Sequence, residues 1–370
     1  MSDLISLHLH IDPTASLPIF AQLRQQITWL IASGELKPAD HLPTVRALAS
    51  QLGINIHTVR LAYHHLADDG MVDIHPGRGT VILPFNLNTL ARQGPDIPSH
   101  TIGVLIPSLN PFYTPYLAGL EEIAHQSGYL LLTVYTHDNP NMTRRFTRQL
   151  ISQNVEGIVA TSPVSNILED ELDISTRPPI VYVDAPNMRE FSILMDNEGA
   201  GFRATQHLID HGHTRIGLIS APLEWSNIHE CYQGYRRALT NASLEFDEKL
   251  IIEVPAFTIE SGYQAALRLL SSDPRPDAIF AAGDILAIGA LQACKFLCVR
   301  VPEQLAVAGY NNIELAGLVD PALTTVSSPT YHMGIEAMRM LIRLKKGEHV
   351  ARKRIVLDTE LILRRSCGCE

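Results

Sequence analysis

The chain has no run approaching the ~18 uninterrupted apolar residues that a membrane helix needs. Met1 to His10 also shows neither a basic start nor a long apolar stretch, so no span or secretory leader is expected. Cysteine is scarce. The five thiols, Cys231, Cys294, Cys298, Cys367 and Cys369, are odd in number and irregularly spaced, which excludes a disulfide framework and points to the cytoplasm. Basic residues are few as well: 29 Lys and Arg against 39 Asp and Glu leave a formal charge of −10, unsuited to a uniformly basic nucleic-acid coat. Catalytic signatures are missing too. No P-loop, GxSxG elbow, HExxH or CxxC pair occurs, and neither enzyme activity nor a cofactor is expected. Metal binding is not expected either, because Cys367-Gly-Cys369 lacks the usual C-x2-C spacing of zinc sites and His211-Gly-His213 lies at a turn.

What remains is the composition of a soluble protein, 46% apolar and 18% charged, with a length suited to two or three domains. A low-periodicity stretch at 85–99 carries Gly94, Pro95 and Pro98 and reads as a linker between a head of residues 1–84 and a body of residues 100–370.

Three helices are expected in the head. The first follows Pro18 through Leu23, Ile27, Leu30 and Ile31 to Gly34, the second is capped by Thr44, and the third follows Gly53 and a cap at Asn55 and buries Val59, Ala62, Tyr63 and Leu66. Two short alternating runs, 71–75 and 80–83, then flank Pro76-Gly77-Arg78-Gly79 as a hairpin. Three helices and a hairpin make a winged helix-turn-helix, whose third helix fits a major groove. The segments PIFAQLRQQITWLIASGEL, LPTVRALASQLGINIHTVRLAYHHLADDGMV and GRGTVI resemble the head of the GntR family. That resemblance implies DNA contacts from Arg46, Thr58, Arg60 and the wing residues Gly77, Arg78 and Gly79. Asn55-Ile56-His57 replaces the family's Ser-Arg pair, so Asn55 and His57 become the candidate base readers. Five basic and seven acidic residues give the head a net −2, short of a basic footprint, which leaves a second reading: a small-molecule receptor whose head binds protein.

The body alternates buried-strand runs (TIGVLIP, LLLTVY, GIVATS, PIVYVD, RIGLIS, LIIEV, DAIFAA, LAVAGY) with helical stretches. The expected fold class is therefore α/β, with two open parallel sheets in two lobes and a ligand between them. In the helical stretch before residue 300, Cys294 and Cys298 are expected to face the core together. SLNPFY, GLEEIAHQSGY, MDNEGAGFRATQHLIDHGHTRIGLIS, YQGYRRAL, GDILAIGAL and DPALTTVSSP resemble the effector domain of LacI-type repressors, a fold shared with periplasmic sugar receptors.

The resemblance implies a cleft lined by Asn110, Phe112, Tyr113, Asp184, Trp225, Cys231, Phe257, Asp284 and Asn311, although Asp284 suits a helix cap better than a ligand contact. Cys231 stands where the family has an arginine, Gly283 where it has Asn, and Asn311 where it has Asp. These exchanges remove charge-assisted bonds suited to an anion, while Asn110 and Asn311 retain hydroxyl-bonding capacity. The composite implied is a ligand-responsive repressor acting as a dimer on an inverted repeat in double-stranded DNA, with a sugar as one effector class.

Overall fold

Local capping chemistry sets the head. A computed structural model describes residues 9, 11–13, 18–32, 34–75, 79–84, 99–161, 178–188 and 190–369. Helix α1 spans Ile19–Ala32. The Thr44 hydroxyl accepts from the Ala47 amide at 3.2 Å to open α2 (Val45–Leu52), and Gly53, at φ 65, closes it. One turn later the Asn55 side-chain oxygen accepts from the His57 amide at 2.8 Å and opens α3 (Ile56–Asp68). Leu23, Ile27, Leu48, Val59, Ala62 and Leu66 are fully buried between the three helices, and the Tyr63 hydroxyl donates to the Pro43 carbonyl.

The hairpin is present as β2 (Val72–His75) and β3 (Gly79–Ile82). A third strand, β1 (His41–Leu42), pairs antiparallel with β3 and is not part of the winged pattern expected from the sequence. Two residues are too few to show alternation. Of the wing turn, Gly77 and Arg78 lie outside the described residues, as does the expected linker apart from Ser99.

The body holds two six-stranded sheets. In chain order the strands are β4 (Thr101–Ile106), β5 (Leu130–Tyr135), β6 (Ile158–Thr161), β7 (Ile180–Val183), β8 (Ser192–Met195), β9 (Ile216–Ser220), β10 (Ile251–Glu253), β11 (Ala278–Ala281), β12 (Ala306–Asn311), β13 (Thr324–Ser327), β14 (Arg354–Leu357) and β15 (Glu360–Ile362). One sheet runs β14-β8-β7-β6-β4-β5 and the other β10-β9-β11-β12-β13-β15. All pairings are parallel except β13 with β15. β6, β7, β9 and β11 are buried at every position, as a sheet covered on both faces requires.

The chain crosses between lobes three times, at 195–197, 327–330 and 357–360. Arg203 reaches two of these crossings, bonding Asp196 at one and the Thr359 hydroxyl at another.

Three helix pairs pack through glycines. The helices are α4 (Tyr113–Gln126), α5 (Pro140–Ser152), α6 (Asn197–Asp210), α7 (Ser226–Asn241), α8 (Ile259–Leu270), α9 (Asp284–Phe296), α10 (Glu314–Leu318) and α11 (Thr330–Lys345). Gly119 and Gly334 join α4 to α11, Gly201 and Gly234 join α6 to α7, and Gly262 and Gly289 join α8 to α9. At each a Cβ would lie 1.9–2.2 Å from a backbone oxygen of the partner helix. Only the missing side chain permits that approach.

Beyond the end of α9, Cys298 is exposed while Cys294 is buried, so the two thiols do not share the core. Cys298 sits at φ 55 after the helix has ended, which breaks the four-residue spacing. No helix among the described residues is long and apolar enough to cross a membrane.

Candidate effector cleft and DNA-facing helix

On the head, Arg46, Asn55, His57 and Arg60 are exposed and Thr58 is half-buried. His57, Arg60, Leu61 and His64 are all exposed along α3, opposite the face that buries Val59, Ala62, Tyr63 and Leu66. Asn55 is less free than the sequence suggested. Its oxygen is held by the His57 amide as the helix cap, so only its Nδ2 remains to donate outward. Gly79 opens β3 at φ 96, a left-handed conformation that disfavours a side chain.

In the body, the strand ends of the two sheets converge on a cavity of about 90 Å³. Asn110, Phe112 and Tyr113 reach it from the segment after β4, Asp184 from β7, Trp225 from the segment after β9, Phe257 from the loop before α8, and Asn311 from β12. This is the switch-point position expected of open parallel sheets, where strand order reverses between β4 and β6 and between β9 and β11. Asn197, Asn227, Asp138, Met195 and Tyr310 also line the cavity and were not singled out by the sequence. Nothing about an isolated Asn marks it as cleft-facing.

Asp184 anchors the polar wall. Its carboxylate accepts from Asn197 Nδ2 at 3.1 Å and Asn227 Nδ2 at 2.7 Å, and the Tyr310 hydroxyl donates to Asn197 Oδ1 at 2.8 Å. Burial dominates its titration: desolvation raises the carboxyl to about 7 against the pull of the two amides. Burial likewise raises Asp138, and its Oδ1 is buried without a hydrogen-bond partner among the described residues. Asp138 (φ 51), Asp184 (φ 53) and Asn311 (φ 107) all take left-handed backbone conformations, a strain that clusters at binding sites.

The aromatic wall combines Trp225 and Phe257, 6.5 Å apart, with Phe112 and Tyr113, 5.0 Å apart edge to face. Gly283 gains a reason here. A Cβ at that position would lie 2.8 Å from the Phe257 ring, so the side chain absent at 283 makes room for the ring.

Two expected contacts fall outside the lining. Cys231 is buried, and its backbone oxygen is the atom that a Cβ on Gly201 would strike, so this residue serves the α6–α7 contact. Burial raises its thiol to about 12, with Asp184 and Glu230 adding to the rise. Asp284 is neither a ligand contact in this cavity nor the cap of its own helix. Its carboxylate accepts from the Thr325 hydroxyl at 2.6 Å and the Ile313 amide at 2.8 Å, tying the segment after β12 to β13.

Asp284 carries a prediction, because burial raises its carboxyl to about 7 against the lowering effect of those bonds. The unfolded chain ionises the group near 4, so between pH ~4 and ~7 only the folded protein holds the proton. Stability then falls as pH rises through that window and levels off above it. Asn at this position keeps both partners, accepting from Ile313 and donating to the Thr325 hydroxyl, so Asp284→Asn should flatten the dependence. Melting temperatures at pH 5 and pH 8 check this, and parallel pH profiles for the two proteins would contradict it.

Comparison with known proteins follows the same division. The profile of the gntR family of bacterial regulatory proteins matches residues 19–82, and that of a periplasmic binding protein-like domain matches residues 205–367. The transcriptional repressor CytR of Escherichia coli K12 is 33% identical over 274 residues, 72% of this chain and 79% of its own length. The solved transcription regulator GntR of Chromobacterium violaceum is 32% identical with a TM-score of 0.66, over 73% of this chain and all of that one. A regulator, CelR, solved as its cellobiose complex, is 28% identical with a TM-score of 0.66 over 88% of this chain and 99% of its own. These relatives are regulators of transcription, and the reading of the head as a protein-binding module finds no support among them.

Proposed function

Because the chain belongs to the LacI-type transcriptional repressors and carries a gntR-type winged head, we propose that its cleft takes a neutral polyhydroxylated molecule of the sugar class and thereby sets operator affinity. The wall chemistry of the cleft carries this reading. Carboxylates at Asp138 and Asp184 and amides at Asn110, Asn197, Asn227 and Asn311 suit hydroxyl groups, while Trp225 and Phe257 offer apolar faces for a ring. No Lys or Arg is among the described lining residues, and those present suit a neutral ligand better than a phosphorylated or carboxylated one.

The units proposed are residues 1–84 for DNA, 85–99 as linker and 100–370 for effector binding and dimerisation. Dimerisation is supported by apolar side chains facing water: Ile259 on α8, Phe296 and Leu297 at the end of α9, and Leu130 and Leu132 on the edge strand β5. Ligand closing the lobes would shift the separation of two heads, which must match two half-sites. A ~100-fold preference of ligand for one state couples by about 2.7 kcal/mol.

Selection of duplexes from a random pool by the full chain at ~0.15 M salt tests the DNA half of this reading. An inverted repeat is expected, and Arg60→Ala should weaken binding to the selected duplex by ~1–3 kcal/mol without touching effector affinity. Unchanged affinity in that variant would remove Arg60 from the interface. Failure to enrich any duplex, with or without a sugar panel, would overturn the operator reading.

A further inference from the structure

The end of the chain folds back onto α6 and brings four soft or borderline donors together. His207 stands in the last turn of α6 and His211 just beyond it, four residues apart with their rings 4.3 Å apart. Cys367 and Cys369 arrive from the C-terminal turn, where Gly368 takes φ 91 and lets the backbone reverse between them. His207 Nε2 lies 3.1 Å from Cys367 Sγ and 3.6 Å from Cys369 Sγ, and His211 Nε2 lies 3.2 Å from Cys369 Sγ. The donors of His207, His211 and Cys369 all lie within 4.8 Å of one another.

We propose that His207, His211 and Cys369 hold a zinc ion that staples the C-terminal turn to the end of α6, with Cys367, in contact with His207, turning its thiol in to complete the tetrahedron. Bond lengths of about 2.0 Å to nitrogen and 2.3 Å to sulfur place N and S about 3.5 Å apart around a tetrahedral ion, close to the His207–Cys369, His211–Cys369 and His207–Cys367 separations. Two imidazoles and two thiols select a borderline-soft dication over the hard ions held by oxygen. Four protein donors also leave no open position, so the site is structural.

Surrounding groups prepare the donors. His211 Nδ1 lies 2.9 Å from the His207 carbonyl, and donating its proton there leaves the Nε2 lone pair for the metal. The Thr324 hydroxyl lies 2.9 Å from Cys367 Sγ and, bonded to the Arg364 carbonyl and amide, ties this end of the turn to β13. Zinc binding releases a proton from each thiol that is still protonated and none from the neutral imidazoles, with no change in oxidation state.

The sequence obscured this site. His211 and His213 are close in sequence, yet His213 turns away to within 3.7 Å of Asp277, and the second imidazole comes from the preceding helical turn. The cysteine pair follows about 160 residues later and meets it only in three dimensions.

The test uses the full chain, reduced, equilibrated with zinc sulfate, freed of loose metal and assayed by mass spectrometry of the element. One zinc per chain is expected, and His211→Gln and Cys369→Ser, both at solvent-reachable positions, should each lose stoichiometric retention. Replacement by cobalt(II) should give the wild-type chain the intense visible bands of a tetrahedral ion and a thiolate-to-metal charge-transfer band, a readout independent of any variant. A substoichiometric trace of zinc, retention undiminished in either variant, an octahedral cobalt spectrum, or a Cys367–Cys369 disulfide in the zinc-treated protein would each overturn the site.

Discussion

Asp184→Ala yields a protein that still binds its operator and no longer responds to effector. The carboxylate is the one cleft group that holds two amides, Asn197 and Asn227, and through Asn197 also the Tyr310 hydroxyl. Its removal takes away a charged acceptor and leaves Asn227 Nδ2 without its bond and Asn197 Nδ2 with Glu230 alone, a combined loss of about 3 kcal/mol or roughly 100-fold in effector affinity. None of these residues lies in the head, so operator affinity without ligand should be unchanged. Calorimetric titration with the active sugar, alongside operator release, reads both halves, and release at wild-type concentrations of sugar would remove Asp184 from the effector site. The same carboxyl titrates near pH 7, so a sugar hydroxyl that donates to it should bind more tightly at pH 8 than at pH 6.

The second large effect is mechanical. Gly234→Ala places a methyl group 1.9 Å from the Glu198 carbonyl, and 2.6 Å from the Phe202 amide nitrogen, so α6 and α7 must part. Backbone cannot rotate aside as a side chain can, and overpacking of this kind costs about 3 kcal/mol. For a domain of this size the melting temperature should drop by roughly 5 °C. Gly317→Ala is the control: its nearest neighbours are Arg364 nitrogens at 3.9 Å, so the change should be neutral or slightly stabilising. Equal melting temperatures for the two variants would mean that the helix contact yields without cost.

Much of this architecture was legible in the sequence, for reasons that can be named. Caps at Thr44 and Asn55 and the glycine at 53 mark the helices of the head because each supplies a backbone group with its missing partner. β4, β6, β7, β9, β11 and β12 were legible because both their faces are covered, which forces continuous apolar runs, whereas the buried β8 and the edge strand β15 were not among the eight runs. β13 was not among the eight runs. It is buried, yet it is built of Thr324, Thr325, Val326 and Ser327, whose hydroxyls find partners such as Asp284 and the Arg364 carbonyl only after folding. β14 was missed for the opposite reason, since it lies at a sheet edge with alternate residues exposed. In the cleft, seven of nine expected contacts line one cavity, whereas Cys231 and Asp284 occupy family positions but are used for helix packing and loop anchoring. Position along the chain was readable; the direction in which a side chain points was not.

The size of the cavity has a kinetic consequence. A space of about 90 Å³ among the described residues falls well below the 300 Å³ or more of typical ligand pockets, so the effector proposed above would enter with the lobes further apart. Encounter and capture are then distinct events. At low ligand the observed association rate should climb with concentration, and at high ligand it should level off at the opening rate. Escape must wait for the same opening, which lengthens residence time. The operator would thus respond to effector supply with a delay set by the motion of the two lobes, however abundant the sugar.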